Sequence, residues 1–466
     1  MEIIYQPYID PEFESLIERI YPPRICIDND ACEDCTLVKV DSANKHGILL
    51  EMVQVLTDLD LVISKSYISS DGGWFMDVFH VTDQLGNKIT DESLILYIQK
   101  ALCPSRRELR SGHASTEQTV LEMTATDRPG LMSEMSAVLL ELGCNVTSAV
   151  AWTHNTRVAC ILNVEDGFKG GPIRDPIRLT HVEEQLGNVV EAHHGKAGER
   201  SSLRLTAPVT GQTHKERRLH QLMYADKDYE WHHGCDGEHK ENSCDVSTHV
   251  SIESCKEKGY SVVNVRSRDR PKLLFDTVCA LTDMQYVVFH AAVASKASMA
   301  DQEYFIRHKD GCTLDTESER HKLSQCLIAA IERRVSHGLR LEICTPNRMG
   351  LLSDITRVLR ENALSISTVE VGTRGERAVG SFYIKDASGH DHVNPNIVEA
   401  VKKESGGSVL AVQKSKEGAP SQAASSSRTN RSMTNSGTED RPRFSLGSLL
   451  WSQLERFSGN FGPIRS

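Results

Sequence analysis

An α+β fold built from four copies of one small module is predicted by three observations: a loop motif written four times, a helical apolar spacing behind each copy, and β-branched runs in register after each helix. The motif reads Asn44-Lys45-His46-Gly47, Asp127-Arg128-Pro129-Gly130, Asp269-Arg270-Pro271-Lys272 and Asn347-Arg348-Met349-Gly350. Asp or Asn opens each copy, Lys or Arg follows, and Gly closes three of the four, with Lys272 in its place in the third.

The helix comes next. Two apolar residues follow the Gly position every time (Ile48-Leu49, Leu131-Met132, Leu273-Leu274, Leu351-Leu352), and an acid stands four residues past it, at Glu51, Glu134, Asp276 and Asp354. Leucine recurs nine residues on, at Leu56, Leu139, Leu281 and Leu359, and an apolar residue twelve on at Leu59, Leu142 and Met284, with Asn362 as the exception. These offsets trace one face of a three-turn helix. A first strand is expected at Val62-Ile63, Val146-Thr147, Val287-Val288 and Ile366-Ser367-Thr368. A second closes on Asp83, Asp166, Asp310 and Asp386, and Gly86, Gly167, Gly311 and Gly389 provide the turn exits. A second helix is expected over Glu92 to Leu102, Leu179 to Leu186, Ser318 to Arg334 and Asn396 to Lys403. Strand, helix, strand, strand, helix is the split βαβ order of a ferredoxin-like βαββαβ sandwich.

The spacing between Gly positions is 83, then 142, then 78, so about sixty extra residues separate the second and third copies. The expected organisation is an N-terminal extension at 1–34, modules at 35–104 and 117–194, an inserted linker at 195–259, modules at 260–335 and 339–413, and a tail from 414 to 466. Within the insert, Leu219, Leu222 and Met223 suit one face of a helix. Lys414 to Arg443 is Ser-rich and is expected to be disordered. Apolar residues return at Phe444 to Phe461, where a short helix could dock on the repeats or on a partner.

This repeat resembles the ACT domain, a small regulatory module that binds amino acids in many biosynthetic enzymes. The arrangement of four, together with Cys32-Glu33-Asp34-Cys35-Thr36 near the start and Thr213 to Glu230 between the second and third copies, resembles the plant ACT-domain-repeat (ACR) proteins. The repeats also resemble those that end bacterial uridylyltransferases. With ACT-like sequence beginning by residue 35, no room is expected here for a separate transferase domain.

The motif's chemistry follows from its shape. A turn that feeds a helix leaves backbone N–H groups unpaired at the positive end of the helix dipole, a setting that suits an α-carboxylate. Glycine lets a ligand approach the backbone, and an Asx side chain can accept from an ammonium. In the ACT family the ligand commonly sits where two modules meet, held by this loop and by the strand after the helix. The resemblance thus nominates Asn44 and Gly47; Asp127, Gly130, Leu131 and Asn145; and Asn347, Gly350 and Leu351. Only the second copy has both the loop Gly and the strand Asn, which makes it the best single candidate. The same residue types also serve as helix cap and turn with no ligand.

Other patterns carry less. Cys32 and Cys35 form a lone CxxC with no second pair at zinc spacing, and His232, His233, Cys235, His239 and Cys244 sit in a polar stretch where a solvated loop competes with a metal site. Lys215-Glu216-Arg217-Arg218 is too short and too interrupted by acid to argue for nuclear import or nucleic acid. A net charge of -11 argues against phosphate-driven nucleic-acid binding. Thirteen scattered cysteines suggest reduced, intracellular thiols. No signal peptide or run of 18 apolar residues is legible, and no phosphate loop, zinc-protease or nucleophile-elbow motif is found.

The expectation is therefore a non-catalytic protein without cofactor or metal that binds a free amino acid between modules and couples it to a protein partner, with homo-oligomerisation left open. The alternative is a ligand-free interaction scaffold. The cytoplasm is the default location, with the nucleus open.

Overall fold

The computed structural model describes residues 23–230, 247–404 and 409–414, apart from 45, 71–72, 103–116, 193–199, 210–213, 256–258, 297, 336–337 and 388–392. The described residues fall into two compact units, one made of 23–102 and 247–324 and the other of 117–230 and 325–414. The Ser-rich tail, the terminal helix and the His/Cys cluster at 232–244 lie outside the described residues.

In the first unit, strands β1 (Arg24–Asp28), β2 (Thr36–Ala43), β3 (Val62–Ser70) and β4 (Trp74–Thr82) accompany helices α1 (Ile48–Asp58) and α2 (Glu92–Ala101). In the second, β5 (Gln118–Thr126), α3 (Leu131–Glu141), β6 (Cys144–His154), β7 (Arg157–Asp166), α4 (Pro176–Glu191) and β8 (Ser202–Val209) lead to α5 (Lys215–Ala225) and a 3-10 turn at Asp228–Glu230. The chain then adds β9 (His249–Cys255), β10 (Tyr260–Arg268), α6 (Leu273–Asp283), β11 (Tyr286–Lys296) and β12 (Met299–His308) to the first unit. Helix α7 (Glu317–Glu332) begins there, and its residues from 325 on belong to the second unit. The last elements are β13 (Leu339–Pro346), α8 (Leu351–Glu361), β14 (Leu364–Arg374), β15 (Arg377–Asp386), α9 (Pro395–Glu404) and β16 (Val409–Lys414).

Each unit is one eight-stranded antiparallel sheet shared by two repeats. The orders are β1-β2-β4-β3-β11-β12-β10-β9 and β16-β13-β15-β14-β6-β7-β5-β8. The first repeat is therefore paired with the third, and the second with the fourth. In each pair the strand that follows the first helix is the seam: β3 meets β11 from Lys65 to Ser69, and β6 meets β14 from Ala149 to Trp152. A seam of this kind removes two free sheet edges and merges two small cores. In the second unit one apolar cluster runs through both repeats, from Leu121, Met135 and Leu139 to Ile355, Leu359 and Phe382.

Two repeats reach the ferredoxin-like layout by a different chain order. In the second and fourth, the outer strand follows the second helix, as β8 beside β5 and β16 beside β13. In the first and third, the outer strand precedes the module, as β1 beside β2 and β9 beside β10. Residues 195–259, read from sequence as an insert, thus contribute two sheet strands and a helix. Hairpin pairing of β9 with β10 brings an edge strand from the preceding segment without a crossover. Helix α5 buries Leu219 and Met223 against Val150, Trp152, Ala159 and Ile161, on the sheet face opposite the main core.

The four first helices start and stop alike. Gly47, Gly130, Lys272 and Gly350 occupy the N-cap with φ of 85°, 85°, 66° and 78°. Thirteen residues on, Asp60, Gly143, Gln285 and Ala363 adopt positive φ as the chain leaves each helix. Glycine removes the Cβ clash at such positions, and Lys272 bears it.

Candidate functional site

The Asx residue that opens each motif does not cap the helix; the N-cap is the positive-φ residue three positions later, with no side-chain cap bond. The Asx backbone N–H instead donates across to the hairpin after the next strand: Asn44 to Gly73 O (3.0 Å), Asp127 to Thr156 O (2.8 Å), Asp269 to Ser298 O (2.8 Å) and Asn347 to Glu376 O (2.8 Å). The basic residue and the acid six positions later form an ion pair in three copies, Arg128–Glu134 (2.6 Å), Arg270–Asp276 (2.7 Å) and Arg348–Asp354 (2.5 Å). The backbone bond and this ion pair tie the loop down beside the helix N-terminus.

A second repeated device lies on the strand. Every strand after the first helix carries a β-bulge, and the extra residue is Ser64, Thr147, Phe289 or Ser367, seventeen positions past the Gly position. The three hydroxyls each donate to the carbonyl sixteen residues ahead, at His80 (3.4 Å), Asn163 (3.3 Å) and Tyr383 (3.2 Å). Bulges re-aim side chains, and two of these bulge residues, Thr147 and Ser367, line clefts with the neighbouring repeat.

In the second unit these devices build two clefts related by exchange of the repeats. In the first, the loop of the second repeat (Asp127, Arg128, Gly130, Leu131) faces Arg360 at the end of α8 and Ile366, Ser367 and Thr368 on β14. In the second, Asn347 and Leu351 face Val146, Thr147 and Ser148 on β6. The first cleft measures about 420 Å³ with its open mouth. Its enclosed part is no larger than a water site, and Arg360 is among the residues that line it. A Cβ on Gly130 would stand 3.0 Å from Arg360 Cδ, and one on Gly350 would stand 3.0 Å from Leu140 Cδ2. Arg360 and Leu140 are the same position in the two helices, ten past the glycine, so a charged stem covers one loop glycine and an apolar side chain the other.

Asp127, Gly130 and Leu131 are brought together, and Asn347 and Leu351 meet in the other cleft. Gly350 lies under Leu140, and Asn44 and Gly47 belong to the first unit, where the Asn44 amide donates to Ser70 Oγ (2.8 Å). Asn145 lines neither cleft: in both, the strand that faces the loop comes from the other repeat. The Asn145 Oδ1 is buried with no hydrogen-bond partner among the described residues. Arg360, Ser367 and Thr368 were not nominated from sequence. Aligning the copies at offsets of ten and seventeen exposes Arg360 and Ser367, but only knowledge of the pairing says which loop they serve. Burial pushes the Asp127 carboxyl up to about 6, against the backbone N–H of Arg128 and the charge of Lys385.

A family model for the ACR family N-terminal ACT domain matches residues 31–109, and one for the ACT domain matches 339–406. The chain is 55% identical over 486 aligned residues to ACT domain-containing protein ACR1 of Arabidopsis thaliana, covering 98% of each chain. The chain belongs to the ACR family of ACT-domain proteins. ACT domain-containing protein ACR3 of the same plant is 53% identical, with 89% of this chain and 92% of that one covered. The bifunctional uridylyltransferase/uridylyl-removing enzyme of Azospirillum brasilense is 38% identical over 81 residues, 17% of this chain and 9% of that enzyme. That likeness reaches a single ACT-sized segment of this ACR chain.

The basic run at 215–218 is engaged within the ACR fold. Lys215 Nζ donates to Ser148 Oγ (2.6 Å), Glu216 pairs with Arg334 (2.8 Å), and Arg218 grips both Glu122 oxygens (2.7 Å each). Beside it, Asp228 and Arg333, both buried, form a bidentate pair joined by His154 Nδ1 (2.9 Å). Among the described residues, no three His, Cys, Asp or Glu side chains could share a metal ion, and no helix is long and apolar enough to cross a membrane.

Proposed function

We propose that this ACR protein is a non-catalytic regulator that binds a free amino acid in the cleft between its second and fourth repeats and changes its hold on a protein partner as a result. The observation that carries this reading is that opposite charges line one cleft: Asp127 and the N-terminus of α3 on the loop of the second repeat, and Arg360 facing them from the fourth. An α-ammonium suits Asp127, and an α-carboxylate suits the helix N-terminus and the guanidinium. Ser367 and Thr368 on β14 also line the cleft, where they would meet the ligand's side chain. The cleft between repeats is also where a ligand changes a pairing, since it touches both at once; a ligand acts only through unequal affinity for two arrangements.

Thermal unfolding of the full chain against each of the twenty amino acids at millimolar concentration tests this. Ligand at a hundredfold its Kd adds about 2.7 kcal/mol to the unit it occupies, and each kcal/mol moves Tm by roughly 2 to 4 °C for a unit of this size. A selective shift should vanish in Arg360→Leu, an exposed site where the exchange leaves the core intact. An unchanged shift in that variant, or none with any amino acid, sinks the assignment.

A ligand-free scaffold is the second reading. Lys272 favours it, because a residue with a Cβ takes the same N-cap conformation as the glycines. That conformation is therefore needed by the fold itself, whatever the loop binds.

A further inference from the structure

The CxxC at the start of the first repeat is unused by the ligand reading, and its geometry is specific. Cys32 and Cys35 lie in the loop between β1 and β2, with Cys35 Sγ donating to Cys32 Sγ at 3.2 Å. A disulfide bond is about 2.05 Å long, so closing it needs an approach of roughly 1.1 Å. The loop holding the two sulfurs is pinned at both ends. Asp28 Oδ1 accepts from the N–H groups of Asp30 (2.9 Å) and Ala31 (3.0 Å), Thr36 Oγ1 donates to Asn29 Oδ1 (2.6 Å), and Ile89 N–H donates to Thr36 Oγ1 (2.9 Å). Lys39 Nζ and Lys88 Nζ anchor Asp28 and the Asn29 carbonyl at 2.9 and 2.8 Å.

The two thiols are unlike. Cys32 is part-exposed, whereas Cys35 is 5% exposed. The hydrogen bond from Cys35, with those from the backbone N–H groups of Asp34 and Cys35, holds the Cys32 thiol below its usual range. Burial, then the bond to Cys32, pushes Cys35 up to about 12. An accessible, readily ionised sulfur backed by a buried one that keeps its proton is the division of labour of a dithiol redox pair. Zinc fits less well, because no third ligand stands near the pair among the described residues.

We propose that Cys32 and Cys35 form a redox-active dithiol whose substrate is a small-molecule disulfide of the glutathione type. The Cys32 thiolate attacks one sulfur of the disulfide, whose S–S bond breaks and releases one thiolate. Cys35 gives its proton to that leaving thiolate and attacks Cys32 Sγ, expelling the second thiol. The protein loses two thiols and gains one disulfide; the small disulfide is reduced to two thiols. Nothing in this depends on amino-acid binding in the second unit.

The test is to equilibrate the full-length chain in graded mixtures of reduced and oxidised glutathione, quench in acid, alkylate and map the peptides. The expected result is an internal Cys32–Cys35 disulfide forming in mixtures that leave the exposed Cys26 and Cys312 free. Cys35→Ser should accumulate the mixed disulfide on Cys32, since the resolving thiol is gone, whereas Cys32→Ser should leave Cys35 unmodified. Retention of both thiols in the most oxidising mixture overturns the proposal. So does a Cys35→Ser chain that modifies Cys26 or Cys312 as fast as Cys32.

Discussion

Ser136 Oγ and Thr356 Oγ1 lie 2.9 Å apart, both buried, where α3 packs on α8. Each stands six residues past the glycine of its own repeat, so the pair marks the axis that exchanges the second repeat with the fourth. In the first unit the same positions are Val53 and Val278, again buried where α1 packs on α6. A hydroxyl pair at one helix contact and buried valines at the equivalent positions of the other separate the two pairings chemically: a valine facing a serine would leave a buried hydroxyl with one partner fewer.

Removing one hydroxyl is expected to cost more than removing both would suggest. Ser136→Ala and Thr356→Val should each destabilise by about 1 kcal/mol, because each takes away its neighbour's partner across the helix contact. The double variant should cost clearly less than the sum, with a coupling of about 0.5 kcal/mol or more by denaturant titration. Strict additivity would mean that each hydroxyl is satisfied by its own helix alone, through Ser133 O and Leu352 O.

The positive-φ positions predict stabilising exchanges. Lys272 at φ 66° and Ala363 at φ 54° carry a Cβ where glycine fits. Lys272→Gly and Ala363→Gly should each raise stability by about 0.5 to 1 kcal/mol, read as a higher denaturation midpoint at unchanged slope. Gly350→Ala should do the reverse by 1 kcal/mol or more, since its Cβ would also press on Leu140 at 3.0 Å.

The Asp228–Arg333 pair should be costly to break from one side. Arg333→Leu leaves a buried carboxylate with only His154 as cation, and a loss of about 3 to 5 kcal/mol is expected. Burial pulls His154 down, but its hydrogen bonds to Asp228 and Glu332 and the Asp228 charge outweigh this and hold its pKa above the usual value. Its stabilisation is therefore complete below about pH 6.5 and fades as pH rises through the raised folded value. Stability measured from pH 5 to 9 should show this decline in the native chain and lose it in His154→Gln.

Asp127 makes the opposite prediction. Its folded pKa of about 6 stands above the unfolded value of about 3.9, so the chain loses stability as pH rises between the two and carries the full penalty above them. Asp127→Asn should remove that fall and make the ligand-free chain more stable at pH 7. It should also weaken amino-acid binding if Asp127 accepts the ammonium. A gain in stability with undiminished binding would leave Asp127 out of the site.

The module was legible because its helix face repeats at fixed offsets, Leu56, Leu139, Leu281 and Leu359 being the plainest case. Two local partnerships were not legible. Glu134 is the ion-pair partner of Arg128, and Asp127, whose residue type also suits a helix cap, bonds the hairpin through its backbone instead. Pairing of the repeats was not legible, since β3 and β11 carry no mark in sequence that selects each other over β6 or β14. For that reason Asn145 was set beside Gly130, while Arg360 and Ser367, brought there by another repeat, went unseen. Strands β8 and β9 were hidden for a simpler reason: a polar linker with Arg204 and Glu253 facing outward reads as loop until the sheet edge that receives it is known.

The interleaved seams set an order of events during synthesis. Ser69 on β3 meets His290 on β11, 221 residues later, and Thr147 on β6 meets Thr373 on β14, 226 later. As the chain leaves the ribosome, the first repeat emerges with its β3 edge bare and must wait through all of the second before its mate appears. The second waits in turn through the third. Two homologous edges are thus exposed together while only wrong mates are at hand, and an adjacent-repeat pairing of β3 with β6 is the trap that slow, distant closure invites. The segments that give β8 and β9 lie between the second and third repeats. They occupy the outer strand positions early, so the nascent chain has only its seam edges left to guard.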